Sequence, residues 1–263
     1  VPELPEVEAY RRLAEGALDR PVAGVDVGDR RFVRGASVPE ELVAALEGAW
    51  FTAARRRGKL LVLDLGGSGA GRRLGLRFGM TGHLLLDGRR AVDRLVYSSE
   101  RAEPAWDRFG VRFVDGGHLV VRDPRLLGGA ELDPDESRLG PDALDVAPAP
   151  LRRALEGSQV ALKARLMDQS RLAGVGNLIA DEVLWRASLA PQRPAGSLTA
   201  AEHRRLHHHL RGTLDELMAR GGSHTGELMA ERVPEGRCPR DGAELVRSTV
   251  GGRTTWWCPR HQR

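Results

Sequence analysis

The sequence predicts an α+β protein of two domains, and three observations carry the prediction. From about Phe32 to Leu132 the chain runs in short β-like segments separated by glycine or charged turns. After Asp133 the pattern becomes long and helical, and from Arg237 it returns to strand-like residues around a Gly-Gly pair. At 263 residues the chain is long enough for a substantial core and sits where one domain commonly becomes two. The expected division is residues 1–132 for an N-terminal β-rich domain, 133–232 for a helical domain, and 233–263 for a small C-terminal β-hairpin.

The first element is helical. VPELPEVEAY crowds two prolines and three acids into eight residues; Pro5, Glu6 and Glu8 suit a helix start, where proline pre-sets φ and acids complement the dipole. That leaves Pro2 and Glu3 without a role. WFTAARRRGKLLVLDL, RRLGLRFGMTGHLLLD and VRFVDGGHLVVRD then read as antiparallel strands of a sandwich or barrel, with Leu60 and Val62, and Leu76, Phe78 and Met80, expected to alternate with polar or glycine neighbours. Asp115 to Gly117 reads as a hairpin turn, and the N-terminal helix is expected to pack on this β unit. DPDESRLGPDALDVAPAP has linker composition, and three helical patterns follow, at APLRRALEG, NLIADEVLWRAS and TAAEHRRLHHHLRGTLDELMARG.

Composition narrows the partners. Lys plus Arg total 40 against 36 Asp plus Glu, a net charge of +4 carried mostly by arginine. Arginine's planar fork suits phosphate, which favours a nucleic-acid partner over a neutral metabolite, although GC-rich coding also raises arginine. No apolar run approaches the roughly 18 residues that span a bilayer, and the acidic start lacks the regions of a signal peptide. The expectation is a cytoplasmic, nucleoid-associated protein with no membrane partner. Two cysteines, Cys238 and Cys258, exclude a disulfide framework.

Those cysteines open two matching knuckles, Cys238-Pro-Arg-Asp241 and Cys258-Pro-Arg-His261, on either side of a hairpin-like segment. Paired knuckles bring four ligands to one tetrahedral zinc, for which histidine is an ordinary ligand and aspartate a less common one. One structural zinc ion is expected, since so short a tail has little core; the alternative is a metal-free hairpin with Asp241 and His261 as polar turn residues. His207 to His209 point in different directions on a helix and read as a solvated face. Gly174-Val175-Gly176 precedes a helix at Asn177, so it is either an anion site at free N–H groups or a tight turn with Asn177 as N-cap. RRRGK, Arg55 to Lys59, is a solvated strand edge or the lining of a phosphate-binding cleft. DPRLLGG, Asp123 to Gly129, ends the β region in a charged loop carrying Arg125.

PELPEVE, RRGK, GMTG, DPR, LGPDAL, LMDQ, GVGN and the terminal knuckles, in that order, resemble the formamidopyrimidine-DNA glycosylase and endonuclease VIII family over almost the whole chain. The resemblance implies an N-terminal β-sandwich with flanking helices and a C-terminal helix-two-turn-helix domain with a hairpin finger, with DNA in the cleft between. It implies a bifunctional DNA glycosylase and AP lyase of base excision repair, acting as a monomer on damaged double-stranded DNA. The nucleophile is then the nitrogen of Pro2, exposed by removal of the residue before it. A secondary amine condenses directly to a charged iminium, and a free α-amino group is partly uncharged near neutrality.

By the same resemblance Glu3 is the general acid/base at the sugar, Glu6 supports it, and Lys59 contacts phosphate and donates a proton in β- and δ-elimination. Met80, Arg125 and Leu127 fill the gap left by the flipped nucleotide, Leu127 standing where the family commonly has phenylalanine. Asn177 and Arg253 grip the phosphates flanking the lesion, Arg253 counting also with the catalytic set, and Arg108 and Lys163 are further DNA contacts. Cys238, Asp241, Cys258 and His261 replace the usual four cysteines.

Two more departures bear on chemistry. Val1 must be absent from the working protein, because an acylated Pro2 nitrogen is no nucleophile. GGSHTGELMAERVPEGR, before Cys238, is shorter than the capping region of oxidised-purine enzymes, so oxidised pyrimidines, ring-opened purines, abasic sites and bulkier adducts all stay open. The rival from another class is a catalytically silent damaged-DNA-binding protein of the same fold, which has no need of Pro2, Glu3 and Glu6.

Overall fold

Alternating large apolar side chains in the first half of the chain close two antiparallel sheets over one core. The computed structural model describes residues 2–35, 38–96, 98–99, 101 and 103–263. Val1, whose absence the catalytic reading requires, lies outside them. The chain divides into two compact units, residues 1–2 with 6–136, and residues 3–5 with 137–263.

The first unit runs α1 (Leu4–Ala14), β1 (Val22–Val27), α2 (Pro39–Leu46), β2 (Ala49–Arg57), β3 (Leu60–Gly67), β4 (Arg73–Arg77), β5 (His83–Leu86), β6 (Arg89–Arg90), β7 (Asp107–Phe113), β8 (His118–Arg122) and β9 (Gly129–Leu132). One sheet has the order β1-β7-β8-β5-β6 and the other β2-β3-β4-β9. Phe109, Val111, Leu119 and Val121 of the first meet Phe51, Leu61, Leu63, Leu74 and Leu76 of the second, and Val7, Tyr10 and Ala14 of α1 join the same core. Burying faces of this kind contributes about 25 cal/mol per Å² of apolar surface, which is why the strands pair in this register and no other.

The sheets differ from the sequence reading at three places. The β region begins at Val22, ahead of Phe32, and α2 interrupts it. The helix signal of α2 was short but real: Pro39 in the first turn followed by Glu40 and Glu41. Strand β3 is buried almost throughout rather than alternating, because Leu60 and Val62 are covered as well as Leu61 and Leu63. The turn at Asp115 to Gly117 closes β7 on β8 as expected, with the Phe113 N–H on Gly117 O at 2.8 Å.

The second unit contains α3 (Pro148–Leu155), α4 (Leu162–Leu166), α5 (Asn177–Arg186), α6 (Ala200–Ala219), β10 (Val246–Val250) and β11 (Arg253–Trp257). The five-residue α4 was not anticipated, being too short for a periodic signal. Leu151, Leu162, Leu166, Ile179, Val183, Leu206, Leu210 and Leu214 form its core. Thr199 and Glu202 close a capping box on α6. The linker-like stretch after Glu136 is pinned by the Gly140 N–H on Gln169 O at 2.9 Å and the Ala143 N–H on Ala173 O at 2.8 Å.

Helix α5 is buried on every side from Leu178 to Trp185, including Asp181 and Glu182. Buried charge needs partners. Glu182 binds Arg186 at 2.7 Å and accepts the Leu228 N–H at 2.9 Å, while Asp181 binds Lys163 at 2.7 Å and also Arg232. Trp185, Leu228, Cys238, Leu245, Trp256 and Cys258 make a separate small core beneath the terminal hairpin. Among the described residues no helix is long and apolar enough to cross a membrane.

Candidate functional site

The first residues are not solvent-exposed trimmings. Pro2, Glu3 and Glu6 are buried, Glu3 completely. Its carboxylate lies at the start of α5, with Oε1 accepting the Leu178 N–H at 2.9 Å and Oε2 the Ile179 N–H at 3.1 Å. These are two of the N–H groups that a helix leaves without internal partners, and the Glu3 side chain satisfies both.

This corrects the reading of the glycine turn. Asn177 is not the N-cap; Gly176 occupies that position without a side-chain bond, and the cap comes from Glu3. The anion received by these two N–H groups is therefore the protein's own carboxylate. Asn177 is the first helical residue, half-buried, and its Oδ1 has no hydrogen-bond partner among the described residues. The glycines make room for the N-terminal segment. A Cβ on Gly176 would lie 2.2 Å from the Glu3 carboxyl carbon, and one on Gly174, at φ +113°, would lie 2.5 Å from Leu4 Cδ1.

Lys59 occupies the two-residue turn Gly58-Lys59 between β2 and β3 and is half-buried. It and Lys163 are the only lysines in a chain with 40 basic Lys and Arg residues. An arginine is permanently charged, whereas a lysine can pass on a proton, which sets Lys59 apart from the arginines around it. Those arginines are largely engaged by carboxylates: Arg55 binds Asp64 at 2.8 Å and Glu136 at 3.3 Å, and Arg56 binds Glu8 at 3.1 Å.

Met80 and Arg125 come together from the turns after β4 and β8, with Arg125 Nη1 3.8 Å from Met80 Sδ. Arg125 is exposed and Leu127 is 46% exposed. Arg108 does not stand beside them as a free contact. Its donors go to the carbonyls of Asp123 at 2.8 Å, Ala105 at 3.1 Å and Pro124 at 3.3 Å, so it holds the loop in shape.

Lys163 is likewise not a surface contact. It is fully buried, its ammonium on Asp181 at 2.7 Å, on Thr255 Oγ1 at 2.7 Å and on Thr254 O at 3.1 Å. Burial pushes the ammonium below the ordinary lysine range and the Asp181 carboxyl above its own, each opposed by the other's charge. The pair ties α4 and α5 to β11 next to Arg253. That arginine is exposed, immediately after the Gly251-Gly252 turn of the terminal hairpin.

The two knuckles converge. One ligand atom from each of Cys238, Asp241, Cys258 and His261 lies within 4.8 Å of the others. His261 Nδ1 is 2.9 Å from Asp241 Oδ2 and 3.7 Å from Cys238 Sγ, and Cys258 Sγ is 3.4 Å from Asp241 Oδ2. His261 Nε2 lies 3.3 Å from Trp185 O, and the Trp185 Nε1–H donates to Cys238 Sγ at 3.3 Å. With Nε2 protonated on that carbonyl, Nδ1 turns its lone pair toward the thiols and the carboxylate, four donor atoms facing one centre. The donor set and its supporting bonds fit a tetrahedral dication. Of the histidine run, His208 is exposed and His207 Nε2 lies on Val146 O at 2.9 Å.

Two further residues escaped the sequence reading. Asp181 has no signal beyond an acid inside an apolar helix, and Asp123 is the first residue of DPR, where Arg125 carries the evident chemistry. Both are buried and bind several donors.

Two sequence profiles cover most of the chain: the formamidopyrimidine-DNA glycosylase N-terminal domain over residues 1–130 and the formamidopyrimidine-DNA glycosylase H2TH domain over residues 139–228. Curated formamidopyrimidine-DNA glycosylases of Halorhodospira halophila and Geobacillus kaustophilus are 35% and 33% identical, each aligned over 100% of both chains. A solved complex between Lactococcus lactis Fpg and abasic-site DNA is 27% identical over 100% of both chains, with a TM-score of 0.82. The same protein with DNA containing N7-benzyl-Fapy-dG matches with a TM-score of 0.83 at 27% identity. The landmark motifs, the two-sheet unit with its helical companion, and these full-length likenesses agree: the chain belongs to the formamidopyrimidine-DNA glycosylase family.

Proposed function

We propose that the chain is a bifunctional DNA glycosylase and AP lyase of base excision repair, and that the residue after its proline carries the acid–base chemistry. The single observation behind this is the Glu3 carboxylate, fully buried one residue from Pro2 and held by two N–H groups of α5. A free binder of DNA needs no carboxylate fixed there.

The Pro2 nitrogen attacks C1′ of the damaged nucleotide, and the base leaves with the pair of the glycosidic bond. Glu3 takes up the proton that the Pro2 nitrogen loses on attack and delivers it to the ring oxygen as the bond from C1′ to that oxygen breaks, leaving a C1′ iminium on Pro2. Loss of a C2′ proton then expels the 3′ phosphate by β-elimination, δ-elimination expels the 5′ phosphate, and water releases Pro2. Lys59, the half-buried lysine of the β2–β3 turn, is the proton donor for elimination, and Glu6 supports the site from the first turn of α1. The chemistry requires Pro2 to be the amino terminus of the working protein.

Met80, Arg125 and Leu127 form the wedge that fills the stack when the nucleotide leaves it, and Arg125 pairs with the orphaned base. Asn177 and Arg253 grip flanking phosphates, with Lys163 and Arg108 acting behind them by holding the hairpin and the wedge loop. Borohydride trapping on abasic-site duplex tests the whole reading. A covalent adduct is expected; wild-type protein that binds the duplex yet gives none is a silent binder.

Cys238, Asp241, Cys258 and His261 would hold one zinc ion, whose contribution is structural: it supplies the folding energy that a six-residue core cannot. Metal analysis of purified protein should give about one zinc per chain. Chelation should release the hairpin, read as a change in the fluorescence of Trp185 and Trp256 and a loss of DNA affinity. Protein that is stable, active and metal-free would show that the knuckles close without an ion.

A further inference from the structure

Asp123 lies between the two turns that carry the wedge, and it is completely buried. Its Oδ1 accepts the Thr81 hydroxyl at 2.5 Å and the Arg125 N–H at 3.2 Å; its Oδ2 accepts the Leu127 N–H and the Gly128 N–H, both at 2.8 Å. Each of these four partners donates. Thr81 follows Met80, and the three N–H groups belong to the loop of Arg125 and Leu127, so one carboxylate joins both wedge-bearing turns.

The carbonyls of the same loop are held from outside. Arg108 takes those of Asp123 and Pro124, and Arg34 takes those of Leu126 at 3.3 Å and Gly128 at 3.2 Å. Leu126 sits at φ +54°, a conformation costly for leucine that persists only where the surroundings impose it. The turns also touch directly: a Cβ on Gly79, at φ +56°, would lie 2.5 Å from the Leu127 carbonyl carbon. A loop whose backbone is bound on both sides cannot settle its exposed side chains independently.

We infer that Asp123 is the positioning residue of the wedge, its carboxylate locking the Met80 turn and the Arg125–Leu127 loop into one rigid body before DNA is met. The inference rests on the wedge reading of Met80, Arg125 and Leu127. Preorganisation matters here because inserting side chains must replace stacking as it is lost, and a displacement of about 1 Å costs up to roughly a hundredfold in rate. The two oxygens of a carboxylate can accept from all four donors. An asparagine turns its amide N–H₂ against two of them.

The test compares cleavage of one abasic site in duplex and in single-stranded DNA, since the single strand has no stack to open. D123N should lower the duplex rate about ten- to a hundredfold and leave the single-strand rate within about twofold. T81V should move the duplex-to-single-strand ratio in the same direction by less, and T81S, which keeps the hydroxyl, should restore it. Should D123N fail to fold, the Thr81 pair decides alone. R125A tests the wedge itself and should lower the ratio. An unchanged ratio in D123N or in T81V, with R125A lowered, overturns the role of Asp123 and leaves the wedge standing. Equal losses on both substrates would mean a general structural role and also overturn it, and an unchanged ratio in R125A refutes the wedge and the inference with it.

Discussion

Pro2→Gly is expected to bind damaged duplex as the wild type does and to lose most of its covalent trapping, by at least about a hundredfold. The secondary amine of proline gives an iminium that carries its charge at any pH, and the ring removes rotation about N–Cα. Glycine offers a primary amine whose imine is charged only when protonated, on a backbone with more freedom to leave the site. Binding should be unaffected, because the residues proposed to contact phosphates and to form the wedge lie elsewhere in the chain. The measurement is borohydride trapping on abasic-site duplex beside an equilibrium binding assay, with the adduct peptide of the wild type identified by mass. Undiminished lyase activity in Pro2→Gly, or an adduct on another residue, would refute the assigned nucleophile.

The second large effect is expected at a position that has no side chain of its own. Gly176→Ala places a Cβ 2.2 Å from the Glu3 carboxyl carbon and 2.4 Å from Oε1, closer than real contacts allow. Either the carboxylate leaves the N–H groups of Leu178 and Ile179, or the start of α5 moves. Misplacing an acid–base group costs on the order of a hundredfold in rate, and overpacking of this kind destabilises by about 1–3 kcal/mol. Base excision should therefore fall about a hundredfold in protein that still folds and binds DNA. Full excision by Gly176→Ala would mean that the carboxylate works from somewhere else.

Much of the architecture was legible because it repeats. The strands from Trp50 onward, the hairpin at Asp115 to Gly117 and the long helix after Thr199 each announce themselves in several consecutive residues, and burial then acts on the pattern as written. Three short elements did not. Helix α4 has only five residues, α2 interrupts a stretch dominated by strands, and β1 lies where glycines and charges obscure its alternation. The site divides in the same way. Pro2, Glu3, Lys59 and the paired knuckles are short motifs with a chemistry of their own. Arg108 and Lys163, read as DNA contacts, turn donors to the protein itself, Arg108 to three loop carbonyls and Lys163 to a buried aspartate.

By itself the sequence determined the fold class, the order of its parts, the family, and the residue types able to form an iminium, move a proton and hold a metal. Those properties reside in periodicity and in side-chain chemistry, which are local to the chain. Only the tertiary structure decided which donor meets which acceptor: that Glu3 caps a helix that begins at Asn177, that Gly176 leaves room for that carboxylate, and that Asp123 holds the loop of Arg125. Such pairings join residues 42 and 175 positions apart as readily as neighbours. They are set by which groups are denied water together, and no spacing along the chain records that.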